Sequence, residues 1–153
     1  MPQSFVLRRV LAAIFLFGSV GAAAELVLLE HTEDAWQNAP LALIGIACAV
    51  LVVLAIRPSG IGVRIFQFTM IAFMASGVAG IVLHYRGNVE FELELQPDAS
   101  AFGLFWEAMK GATPALAPGT MMLLGALGLT YTYRHSAVTR LNGSPAASTG
   151  AVP

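Results

Sequence analysis

Four apolar runs set the rhythm of the chain: Val10 to Leu29, Ala39 to Ile56, Ile65 to Leu83 and about Ala115 to Tyr133. A hydrocarbon core of about 30 Å takes roughly 17 to 25 helical residues to cross, so each run is long enough to span a bilayer as a helix. Polar or helix-breaking segments separate them: Glu30 to Asn38, Arg57-Pro58-Ser59-Gly60 on to Arg64, and a long stretch from His84 to Pro114. The fourth run has soft edges, because Pro118 and Gly119 lie inside its apolar start and can delay the regular helix to Pro118.

Between the third and fourth runs the period changes. From Asn88 to Leu95, Val89, Phe91, Leu93 and Leu95 alternate with Glu90, Glu92 and Glu94. Period two predicts a strand. Such a strand pairs within its own loop or offers an edge to another chain; otherwise the segment lies extended along the bilayer interface with its glutamates in water. After Pro97, with Asp98 or Ser100 as cap, Phe102, Phe105, Trp106 and Met109 recur at helical spacing. This second piece predicts a short amphipathic helix that rests on the membrane or lids the bundle. Its aromatic stripe reads as a packing face rather than a cofactor box. Together, Val89, Phe91, Leu93, Leu95, Phe102, Phe105, Trp106 and Met109 form the candidate partner-binding platform.

Composition agrees with a membrane protein. The 153 residues are 57% hydrophobic and only 11% charged, where soluble domains carry about 25% charged residues. The net charge of -1 excludes a general nucleic-acid binder, and the distribution of sign is more telling than the total. Arg8, Arg9, Arg57, Arg64, Arg134 and Arg140, six of the eight basic residues, fall on one side of a four-span topology. The positive-inside rule makes that side cytoplasmic, with both termini inside. The other side holds Arg86, Lys110 and most of the carboxylates, with Trp36 and Trp106 as interfacial anchors there and Tyr131 and Tyr133 on the inner side.

The fold expected is an all-α membrane protein: a four-transmembrane-helix bundle forming one domain over residues 1–140, with an extracytoplasmic strand-plus-helix insertion at 84–114 between spans three and four. Residues 141–153, rich in Ser, Ala, Gly and Pro, read as a disordered cytoplasmic tail. Small size and an Ala/Gly/Leu-rich style point to a bacterial-type inner membrane. A competing reading takes residues 1–24 as a cleavable signal, since Arg8-Arg9, an apolar run and Ala22-Ala23-Ala24 form such a pattern. The run resumes at once as Leu26-Val27-Leu28-Leu29, which favours a retained span.

Chemistry is sparse. Cys48 is the single cysteine, so internal disulfides, redox pairs and cysteine-based zinc sites are excluded. No Ser, His and Asp set and no Gly-rich phosphate loop is placed for catalysis, and no cofactor is predicted. Glu25, about one turn inside the outer end of span one, is an intramembrane polar candidate. Gly18, Ala22 and Glu25 share one face of span one, and Gly77, Gly80 and His84 share one face of span three; if these faces pack together, Glu25 approaches His84. Joined by Glu30 and His31, they form a weak set of ligands for a divalent metal or a proton. His31 and His84 are the one pair on a common side that could hold haem. The plainer reading has Glu25 snorkelling to the interface and His84 capping a helix end. The expected function is an accessory or scaffold subunit that contacts membrane or periplasmic proteins, or a second copy of itself, through the outer platform; the alternative is ion, proton or metal handling centred on Glu25 and His84.

Overall fold

The computed structural model describes residues 3–111 and 115–135, with side chains from residue 5 onward. The proposed tail, 141–153, lies outside the described residues, as do Pro114 and Arg140. The described chain is all-helical: α1 (Gln3–Leu28), α2 (Ala35–Ile56), α3 (Gly60–Leu95), α4 (Ala101–Lys110) and α5 (Gly119–Thr132). Three of them, α1, α2 and α3, are long and apolar enough to cross a membrane. Their large apolar side chains face largely outward, Phe17 and Leu28 on α1 and Phe68 on α3 among them. An outward apolar surface over this length is the arrangement a lipid solvent selects.

Caps and breakers fix the ends. Asp34 accepts the Gln37 amide at 2.8 Å, so α2 begins a turn before its apolar run. Ser59 and Ser100 cap α3 and α4 by accepting the amides of Gly62 and Gly103, each supplying an acceptor for an unpaired first-turn N–H. The fourth apolar run forms a turn over 115–118 and then α5, whose 14 residues extend about 21 Å. That falls short of a hydrocarbon core, so the fourth span expected from sequence is matched by a helix too short to count by length.

α1, α2, α3 and α5 close into a ring in which α1 touches α2 and α5, and α3 touches α2 and α5. Its core is built from Phe15, Ile44, Ala47, Leu51, Phe66, Met70, Phe73, Met121 and Leu124. Phe15 of α1 inserts between rings of α3, edge-on to Phe66 at 5.5 Å and 6.0 Å from Phe73. α5 runs antiparallel to α3 at close range. A methyl group built on Gly77 would lie 2.9 Å from the Pro118 carbonyl oxygen, and one on Gly125 2.7 Å from that of Met70. Gly18 of α1 likewise faces Leu124 of α5. Small residues let helix backbones approach, but the faces of spans one and three expected to meet each other both meet α5 instead.

The strand expected over Asn88 to Leu95 is absent among the described residues; that segment is the last part of α3. Three causes act together. A helix leaving the membrane is already nucleated, so each added residue gains a hydrogen bond at the cost of fixing only itself. Glu and Leu are good helix formers. A lone strand would leave a row of backbone groups unpaired. The helix stops at Leu95 because Pro97 disfavours helical geometry at Gln96.

Candidate functional site

Beyond Leu83, the end of its apolar run, α3 continues twelve residues to Leu95, about 18 Å. α4 folds back along this extension. Ser100 and Gly103 lie beside Glu92 and Gln96, walling a cleft that Leu104 and Glu107 complete. Farther down, Asn88 Nδ2 donates to the Ala108 carbonyl at 2.8 Å, and the Phe105 ring lies 6.0 Å from Tyr85. The result is a helical hairpin of α3 and α4, not a helix laid across the end of the bundle.

Asn88 is the pivot. It is buried, and a methyl group on Gly111 would lie 2.6 Å from its Nδ2, so the close approach of the two helices requires glycine there. Ala108, fully buried, is the contact residue of α4. Sequence reading singled out neither residue. The spacing of Leu104, Ala108 and Gly111 at i, i+4 and i+7 was the available signal, outweighed by the aromatic stripe.

That stripe points outward. Phe102 is 79% exposed, and Phe105 and Trp106 are about half exposed; Met109 is partly buried. On α3, Phe91, Leu93 and Leu95 are exposed and Val89 is partly buried. In a helix, Val89 pairs with Leu93 and Phe91 with Leu95 on two different faces, so the alternating set does not form one surface. Lys110 bridges Glu107 at 2.8 Å.

The second candidate region lies where α1 ends. Glu30 adopts φ 52°, the left-handed region in which glycine ordinarily closes a helix. The His31 amide then donates back to the Leu26 carbonyl at 2.9 Å, and that of Glu30 to Val27 at 3.1 Å. This closing turn brings His31 beside α3, where its ring meets His84 with centroids 5.9 Å apart and planes at 67°. Glu25 is exposed, and the imidazole against His84 is supplied by the loop after α1. Among the described residues no group of three or more His, Cys, Asp and Glu is arranged to hold a metal.

At the opposite end of the bundle, Arg8 reaches the last turn of α5. Its guanidinium donates to the carbonyls of Tyr131 at 2.6 Å, Tyr133 at 2.9 Å and Arg134 at 3.1 Å, a cation placed on the negative end of a helix. His135 lies beside the Tyr131 ring. Burial, aided by the Arg8 charge, holds its imidazole below the ordinary histidine value. No protein-family model matches this sequence, and no curated protein or solved structure gives a significant match.

Proposed function

We propose that this chain is a small multi-pass accessory or scaffold subunit that binds partner proteins through the α3–α4 hairpin. The observation that carries the reading is the outward aromatic face of α4. Phe102 and Trp106 stand on a helix held off the bundle by Asn88, where exposure of large apolar groups in water favours an interface. α5 serves as a short fourth crossing, walled by α1 and α3, and completes a four-span bundle of a bacterial-type inner membrane. The arginine-rich end faces the cytoplasm, placing both termini there and the hairpin outside. α1 is retained in this reading, because Phe15 and Ser19 are buried and loss of residues 1–24 would open the core.

Photocrosslinking from position 102 or 106 in cells tests the partner reading. A discrete adduct, lost when Phe102 and Trp106 are both changed to Ser in a chain that still folds, supports it. Uniform labelling of lipid alone removes it.

Ion, proton or metal handling is the second reading. Here the ring contact between His84 and His31 supports a centre on the two histidines.

A further inference from the structure

We propose that His31 and His84 form a two-imidazole site for an exchangeable late first-row divalent ion, of the class of Zn2+ or Cu2+. The inference takes the second reading one step further and is independent of the partner reading. Imidazole suits these ions. With metal–nitrogen bonds of about 2.0–2.1 Å, a ring centroid lies about 3.2 Å from the ion, so two rings sharing one ion stand about 5.2 Å apart at a tetrahedral angle and about 6.4 Å apart when collinear. The observed 5.9 Å falls between these limits. Binding needs one nitrogen of each ring at the common point, which leaves the other nitrogen for the hydrogen bond that orients a ligating imidazole.

The two donors are held by different means. His84 lies in the interior of α3, fixed on a rigid helix. His31 is set by the turn after α1, in which Glu30 occupies a left-handed conformation (φ 52°) that most residues other than Gly, Asn and Asp adopt rarely. That conformation aims the loop back at α3. Strain of this kind persists where the surrounding structure enforces it, and here it delivers an imidazole to an imidazole. With no third His, Cys, Asp or Glu completing a cage among the described residues, water or an exogenous ligand fills the remaining positions. Such a site exchanges its ion and does not act as a folding clasp.

The test uses the full chain purified in mild detergent, titrated with Zn2+ alone by calorimetry and with Cu2+ alone by electron paramagnetic resonance. One ion per chain is expected, with two nitrogens coupled to Cu2+. His31→Ala and His84→Ala should each weaken binding about tenfold or more, the double variant should be little worse than either, and His135→Ala should bind as the unaltered chain does. Unchanged affinity in both single variants overturns the proposal. If the alanine variants fail to fold, the nitrogen count on the unaltered chain decides: two support the site, and one or none overturn it. Phe102→Ser with Trp106→Ser should leave metal binding intact, which separates this site from the hairpin. Binding at the pair without ion movement in liposomes keeps the site and removes only the handling role.

Discussion

Arg8 and Tyr131, 123 positions apart in the chain, are joined by a hydrogen bond of 2.6 Å from the Arg8 Nη1 to the Tyr131 carbonyl. The same guanidinium reaches the carbonyls of Tyr133 and Arg134, so the first helix holds the carboxyl end of α5. Arg8→Lys keeps the charge but loses the planar fork that serves several acceptors at once. Arg8→Ala should cost about 1 kcal/mol, the value for a charged hydrogen bond reduced for partial exposure. Arg8→Lys should fall between the two, read from chemical unfolding in detergent.

His135 predicts a pH dependence. Burial first, and Arg8 second, hold its folded value below the ordinary imidazole value. The unfolded chain therefore takes up the proton first as the pH falls. The stabilising contribution is full above the unfolded value, declines through the interval below it and is lost under the folded value. His135→Gln should flatten this segment of the stability curve, and Arg8→Ala should raise the His135 titration followed by NMR.

Glycine positions separate packing from propensity. A methyl on Gly125 would come within 2.7 Å of the Met70 carbonyl oxygen, whereas one on Gly21 meets nothing within 4 Å. Gly125→Ala should destabilise by about 1–3 kcal/mol through overpacking. Gly21→Ala, in the interior of α1, should be neutral or gain about 0.5–1 kcal/mol from backbone entropy. Thermal unfolding of the two variants side by side gives the comparison.

Asn88→Ala removes the donor to the Ala108 carbonyl and leaves that buried acceptor unpaired, a loss of about 1–3 kcal/mol. The effect should be local, since Asn88 lies outside the core of the bundle. Limited proteolysis should cut within α4 while the spans stay protected.

The three long helices were legible because lipid selects for length and apolarity, and both are properties of the sequence alone. Their ends were less legible: α2 starts at Ala35 because Asp34 caps it, and α3 runs past Leu83 because a nucleated helix continues through Gly87 to Leu95. The alternation of Val89 to Leu95 is a true pattern over too short a window, and the cost of an unpartnered strand outweighs it. His84 and His31 were both legible as candidates, but the ring contact between them was not. α5 and its first turn occupy both small-residue faces, and a left-handed Glu30 turns His31 toward α3. Neither fact has a signature within either helix.

The α3–α4 hairpin exists only if the acidic segment is helix. With Cys48 replaced by Ser, nitroxides attached to cysteines at Arg86 and Glu94, both exposed, measure it directly in the full chain. Eight helical residues place the backbone sites about 12 Å apart, close enough to broaden the continuous-wave spectrum. A strand places them about 26 Å apart, with no broadening and a resolved dipolar modulation. The short distance is expected; the long one would contradict the hairpin and the interface proposed on it.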